Sequence, residues 1–259
     1  MKDVKEILCK KSKLSRGDHV LDIASNDGTF LNLYNKNIIK VGIDPLVNKY
    51  SKYYRNINYK ISDFFSIKKI RNKINKKFKI ITALSVFYDI ENPNKFLKNI
   101  YNILQEDGIF MLEHADLLSI LKLKMFDTIC HEHIYYYSTK IIINIVKENN
   151  LRVFDLKRNN INGGSVQYFI CKNNSKYKTN HFIIDKIINE EKKIKLEEKK
   201  TYLKFFNDIN RIKYRVLKLL NLITSKNKTI HGYGASTKGN VLLQYFNINQ
   251  KYIKFIADR

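Results

Sequence analysis

The segment FDTICHEHIYYYS, residues 126–138, gathers His131, Glu132 and His133 ahead of three consecutive tyrosines. Three chemistries are open to it: metal binding, proton transfer, or an ordinary polar turn. Histidines two apart share one face of an extended chain, but zinc needs further ligands. HExxH is absent, and the other histidines are His19, His114, His181 and His231. The pattern therefore predicts no metal. Proton transfer suits it better: a neutral imidazole abstracts a proton while a neighbouring carboxylate orients it or the substrate.

A second candidate lies in LDIASNDGTFL, residues 21–31. Asp22, Ala24, Asn26, Asp27 and Gly28 occupy the end of an apolar run and the turn after it. Asp44 follows about 20 residues on, where a carboxylate can accept both hydroxyls of a ribose. The glycines do not form GxGxxG, and an acidic loop disfavours phosphates. S-adenosylmethionine fits, with a sulfonium, an ammonium, a ribose and no phosphate. Asp63 and Phe64 are placed to meet adenine, the carboxylate at its amino group and the ring by stacking. Ser85 joins them from the polar stretch 85–88. Singly, each aspartate reads as a helix cap as readily as a ligand; the ordered set predicts a class I methyltransferase fold.

These residues need a scaffold that brings them together. HVLDIA, IIKVGID, NINYKISDFF, FKIITALSVFYDI and IFMLEHAD read as five strands. FLNLYN after Gly28 has helical spacing. NPNKFLKNIYNILQEDG reads as an amphipathic helix ending at a Gly108 cap. Alternation of this kind predicts an α/β, Rossmann-like parallel sheet whose strand ends bind ligand. After the helix STKIIINIVKENN, residues 151–158 and 165–172 read as an antiparallel closing hairpin through NNINGG. Residues 183–225 are charged, free of Gly and Pro, and read as one or two long helices. KTIHGYGASTKGNVLLQYF and YIKFIADR then restart a βαβ pattern. The expected organisation is 1–180, a methyltransferase domain; 181–226, a helical linker; and 227–259, the start of an incomplete second α/β domain.

Composition limits the partners. The net charge of +24 invites nucleic acid. The excess is 40 Lys against 8 Arg, spread along the chain among Asn and Ile. Arginine is the residue of base and phosphate forks, so compositional bias explains the charge and no nucleic-acid partner is expected. No apolar run approaches the ~20 residues of a membrane span. The N-terminus lacks the apolar core of a signal peptide. Three cysteines without a CxxC predict reduced thiols, which fits a cytoplasmic protein; a monomer is expected, with a coiled-coil dimer through residues 183–225 as the alternative.

LDIASNDGTFL, SVFYDIENP, GIFMLEHAD, FDTICHEHIYYYS, NINGGSVQYFI and GYGASTKGNVLL, in that order, resemble the bacterial sugar C-methyltransferases acting on nucleotide-linked deoxy-ketosugars. The resemblance runs from about residue 18 to the end. It implies a dTDP-4-keto-deoxyhexose substrate, loss of the C3 proton to a base, and attack of the enolate on the methyl of S-adenosylmethionine. By motif position His133 matches the base and Glu132 its acidic neighbour, with His131 beside them. It further implies sugar contacts from Tyr136 and from Asn162, Gly164 and Ser165. Gly234, Ser236 and Lys238, with the amides opening the next helix, would seat a diphosphate. Family members commonly begin with a cysteine-rich zinc module and continue past the last strand seen here; neither stretch occurs in these 259 residues. The position before HEH, often tyrosine, is Cys130. Three other functions stay open: a sugar or small-molecule O- or N-methyltransferase, a nucleic-acid methyltransferase, and an S-adenosylmethionine-binding remnant without activity.

Overall fold

The computed structural model describes residues 1–258. The apolar runs become strands β1 (His19–Ile23), β2 (Ile39–Ile43), β3 (Tyr59–Ile61), β4 (Phe78–Leu84) and β5 (Leu104–Ala115). The pair β6 (Leu151–Asn159) and β7 (Ser165–Lys172) completes one seven-stranded sheet in the order β3-β2-β1-β4-β5-β7-β6. The first five strands are parallel, and β7 inserts antiparallel between β5 and β6. The hairpin thus closes the sheet, with β6 rather than β7 at its edge. The α/β architecture with an antiparallel hairpin is the one read from the sequence.

Both faces are covered because strands buried on both sides carry nearly continuous apolar runs. On one face α2 (Ile67–Lys73), α3 (Pro93–Ile103), α5 (Thr139–Glu148) and α6 (His181–Lys193) bury Ile70, Phe96, Ile100, Ile142, Val146 and Ile187 against the sheet. On the other, α1 (Lys2–Ser12) contributes Val4 and Leu8, and the loops after β1 and β2 contribute Phe30, Tyr34 and Tyr54. A third cluster joins α7 (Lys199–Ser225), α8 (Thr237–Phe246) and the two-stranded parallel sheet of β8 (Ile230–Tyr233) and β9 (Ile253–Ala257) to Leu121 of α4 (Leu117–Leu123) and to Phe126. Among the described residues no helix is long and apolar enough to cross a membrane.

Three local expectations are corrected. FLNLYN forms a single 3₁₀ turn, Leu31–Leu33, instead of a helix. Tyr34 is already extended, at φ −80° and ψ 147°, and Phe30, Leu31 and Tyr34 are buried together against the sheet. Gly108 does not cap α3: the helix ends at Ile103, Leu104 is already extended, and Gly108 lies within β5 at the register shift opposite Phe78 and Ile80. A Cβ there would lie 2.9 Å from the Phe78 carbonyl oxygen, so close backbone approach explains the glycine. β4 stops at Leu84, and Phe87–Asp89 form a separate 3₁₀ turn.

Candidate active site

The loop after β1 is built around unusual backbone. Ala24, Asn26 and Gly28 have φ of 57°, 48° and 75°, and Ser85, after β4, has 55°. Each left-handed non-glycine residue costs about 1–2 kcal/mol. Such residues collect where a binding edge must be shaped, and these four lie at the carboxyl ends of adjacent strands. A side chain at Gly28 would carry the strain of φ 75° and would have to displace Ile57 Cδ1, 2.7 Å from an added Cβ.

Asp44, 7% exposed, holds this loop from β2. Its Oδ2 accepts from the Asn26 amide at 3.1 Å and its Oδ1 from the Leu46 amide at 2.7 Å. Each oxygen keeps acceptor capacity, as two ribose hydroxyls require. Tyr54, missed in the sequence reading, secures the loop from beneath. Its buried hydroxyl donates to the Asn26 carbonyl at 2.7 Å and accepts from Ser25 Oγ at 2.8 Å. Burial pushes this phenol up to about 12, so it remains a donor. Gly42 makes room for it: a Cβ there would lie 2.9 Å from both Ser25 Oγ and Tyr54 Cε1. A glycine inside an otherwise apolar strand was the available signal.

Asp22 ends β1 at 3% exposure and accepts from Thr82 Oγ1 at 2.5 Å. Burial raises its carboxyl to about 7; the Thr82 hydrogen bond opposes this and the Asp44 charge adds to it. Asp27 is turned to its own loop, accepting from the Thr29 amide at 3.0 Å. Asp63 pairs with Lys69 and accepts from the Phe64 amide, while the Phe64 ring is 77% exposed at the crevice margin. Asp22 and Asp44 thus stand at the carboxyl ends of adjacent strands beside the left-handed loop, an acidic edge suited to a cationic nucleoside rather than to phosphates.

The HEH loop is fastened to the turn after β4. Ile134 and Tyr135 amides both donate to the Tyr88 carbonyl, at 3.1 and 3.0 Å. The half-buried His133 ring lies against Tyr88, centroids 4.3 Å apart, with Tyr136 6.2 Å away. Tyr137 is buried among Phe87 and His114 and is core, whereas Tyr136 is half-buried with its hydroxyl donating to the Thr128 carbonyl at 3.4 Å. The motif is therefore divided: His133 packs on the sheet edge, while Cys130, His131 and Glu132 line a separate cleft.

That cleft, about 680 Å³, has α8 as its opposite wall, with Thr237, Asn240, Val241, Gln244 and Tyr245. Phe126 fixes the two walls by stacking on Phe246, centroids 5.0 Å apart at 18°. Among the described residues no Lys or Arg lines it, so its surface suits a hydroxyl-rich, neutral group.

Other expected substrate contacts are distributed differently. Ser165, 2% exposed, gives its hydroxyl to the Ile161 carbonyl, and Gly164 is buried against Ser119. Both build the hairpin turn, and Asn162, at φ 54°, is the member of the set left exposed. At the expected diphosphate seat, the Gly234 amide donates to the Ala257 carbonyl and the Ala235 amide to Asp258, while Ser236 caps α8 through the Gly239 amide. An acidic side chain already occupies part of the nest, which leaves the half-exposed Lys238 and the first helical amides.

Residues 2–156 match the methyltransferase domain family, and residues 160–259 match the C-methyltransferase C-terminal domain. The C-methyltransferase NovU of Streptomyces niveus is 26% identical over the whole of this chain, which spans 62% of that relative's length. An S-adenosylmethionine-dependent methyltransferase from Clostridium acetobutylicum has the same fold over 66% of this chain and 90% of its own (TM-score 0.52, 15% identity). So does the plantazolicin methyltransferase BamL, solved with S-adenosylhomocysteine, over 66% of this chain and 84% of its own (TM-score 0.50, 16% identity). The chain belongs to the S-adenosylmethionine-dependent methyltransferase domain family, and its last hundred residues are of the C-methyltransferase C-terminal type.

Proposed function

We propose that the chain transfers a methyl group to the carbon beside the ketone of a nucleotide-linked deoxy-ketosugar. One arrangement supports this above others: a single short motif packs an imidazole against Tyr88, in the turn after β4, and presents a carboxylate to the cleft walled by α8. Domain roles follow the same division, with residues 1–180 holding the cofactor, 181–226 linking, and 227–259 supplying the cleft's far wall.

S-adenosylmethionine, when bound, supplies an electrophilic methyl group. Asp44 would hold its ribose and the Ala24–Gly28 loop its methionine end. His133 takes the proton made acidic by the adjacent ketone, leaving an enolate whose carbon is the nucleophile. Glu132 and His131 hold sugar hydroxyls from the cleft side, and Asn240 and Gln244 face them from α8. A positioned base contributes roughly 10²–10⁴-fold; alignment of donor and acceptor adds to it.

The test incubates the chain with dTDP-4-keto-6-deoxyglucose in D₂O, without and then with S-adenosylmethionine. Deuterium at a carbon flanking the ketone, followed by a methyl on that carbon in NMR spectra, is expected, and both vanish in His133→Asn. A methyl on oxygen without prior exchange means O-transfer. Cofactor binding with neither exchange nor transfer means a binding remnant.

A further inference from the structure

Lysine is almost never fully buried unless its charge is paired. Three lysines are buried among the described residues: Lys40, Lys79 and Lys172. Lys79 pairs with Asp107, and Lys172 with Glu106 at 2.7 Å. Lys40, 2% exposed on β2, has no carboxylate partner among the described residues. Its Nζ donates to the Tyr34 carbonyl at 3.4 Å, which engages one of the three ammonium protons. A lysine-rich composition accounts for lysines in solvent, but not for one set inside a strand without a counter-charge. Lys40 lines a hollow of about 240 Å³ together with Lys36, Arg55, Asn56, Ile57 and Asn58. Lys36 and Arg55 are exposed and have no ion-pair partner among the described residues. Asn58 fixes the turn before β3 against β2: its Oδ1 accepts from the Lys40 amide at 2.9 Å and its amide donates to the Lys40 carbonyl at 3.1 Å. The Asn58 side-chain NH₂ is left as a further donor. A neighbouring hollow of about 420 Å³ shares Arg55 and Asn56 and adds Asn32, Lys52 and Tyr53.

We propose that this hollow is an anion site, taking a phosphate group between Lys40, Lys36 and Arg55 at the amino ends of β2 and β3. The occupant is inorganic phosphate or the phosphate of a monoester. Arginine supplies a planar fork and lysine a point charge, the two side chains with which proteins hold phosphate. The site lies at the opposite end of β2 from Asp44, so neither the cofactor edge nor the cleft walled by α8 accounts for it. Burial, and after it the Lys36 charge, pull the Lys40 ammonium below its ordinary range. An anion between the two lysines offsets both effects. The neighbouring hollow has room and hydrogen-bonding side chains for the remainder of a monoester. The inference stands apart from the methyl-transfer reading and does not need it.

The experiment titrates the full chain with inorganic phosphate and with glucose 1-phosphate by calorimetry, in chloride at constant ionic strength. One saturable site per chain is expected. Tighter binding of phosphate identifies the free ion as occupant, and tighter binding of glucose 1-phosphate identifies a monoester. Lys40→Met, which keeps an unbranched apolar side chain in the strand, should weaken binding roughly tenfold or more, the loss of one hydrogen bond to a charged group. Lys36→Ser combined with Arg55→Ser should weaken it as well, and these exposed positions leave the core intact. S-adenosylmethionine binding in phosphate-free buffer should be unchanged in that double variant. In NMR spectra of the chain labelled at lysine ¹³Cε, the signal missing from Lys40→Met should titrate below the other lysines, and phosphate should move its titration to higher pH. No saturable binding by the parent chain overturns the proposal. So does equal binding by the parent and the double variant, because the attraction then belongs to the basic surface at large.

Discussion

Tyr54 supports Asn26 from below the sheet edge: its hydroxyl donates to the Asn26 carbonyl at 2.7 Å while accepting from Ser25. Asn26 in turn gives its amide to Asp44. One phenol therefore holds a left-handed residue and, through it, the carboxylate expected to meet ribose. Tyr54→Phe leaves a carbonyl and a hydroxyl with lost partners, at about 1–3 kcal/mol. The dissociation constant for S-adenosylmethionine should rise about tenfold by calorimetry, with the far-ultraviolet spectrum unchanged. Unchanged affinity would mean the loop holds its shape without this contact.

Asp44→Asn separates ribose binding from scaffolding. The amide keeps one carbonyl acceptor, but its NH₂ then confronts the Leu46 or the Asn26 amide. Affinity should fall by more than tenfold, beyond the Tyr54→Phe effect, because a charge-assisted acceptor is lost as well. Adding adenosine instead of the full cofactor checks the assignment: its binding should fall in parallel.

Asp22 makes cofactor binding dependent on pH. Its folded carboxyl titrates near 7, raised from 3.8 chiefly by burial. Below 7 it carries a proton, and a cationic ligand nearby favours the ionised form. Binding should therefore release a proton at pH 6 and almost none at pH 8.5, and affinity should strengthen as pH rises to 7. Calorimetry in buffers of different ionisation enthalpy measures the release; Asp22→Asn should abolish it. For stability the sign is opposite: the folded state retains a proton the unfolded chain has lost, so this group's contribution declines as pH rises from about 4 to 7.

His114 acts the other way. It is 1% exposed and stacked on Tyr168, with Nδ1–H donating to the Ala115 carbonyl and Nε2 unpartnered. Burial lowers it to about 4. The neutral ring stabilises the fold fully above the unfolded value near 6.5, and this is lost as pH falls toward 4. Between pH 7.5 and pH 5 the loss is about 2 kcal/mol. His114→Phe, which retains the stack on Tyr168, should flatten the acid side of the urea-denaturation profile by about that amount.

The legible part of the protein was what periodicity and ordered spacing encode. Apolar runs gave the strands, Asp44 stood the expected distance after Asp22, and the apolar spacing after Asn92 and Ser138 became α3 and α5. What escaped depends on neighbours remote in sequence. FLNLYN has helical spacing, yet the chain turns extended at Tyr34 on its way to β2 after one 3₁₀ turn. Gly108 looks like a helix cap, yet it answers to Phe78 on another strand. Tyr54 carries no local signal, because it acts on the loop after β1, twenty-eight residues away from Asn26 in sequence. Ser165, expected at the sugar from the resemblance alone, gives its hydroxyl to the Ile161 carbonyl, a partner that only the hairpin turn sets.

The stack of Phe126 on Phe246 ties the HEH loop to α8, and this coupling can be tested apart from cofactor binding. Phe246 is 1% exposed and also meets Tyr245. Phe246→Ala removes a buried ring at a cost of about 3–5 kcal/mol, most of it falling on the small cluster of α7, α8, β8 and β9. Hydrogen exchange should accelerate in α8 and in residues 126–132 while the seven-stranded sheet stays protected. Affinity for S-adenosylmethionine should hold, because Asp44 and the Ala24–Gly28 loop lie in a different cluster. Methyl transfer should fall at least tenfold, because the cleft between His131, Glu132 and α8 loses its fixed width, and Phe246→Leu should restore most of it. Full transfer by Phe246→Ala with a loosened α8 would show that the sugar does not need that wall.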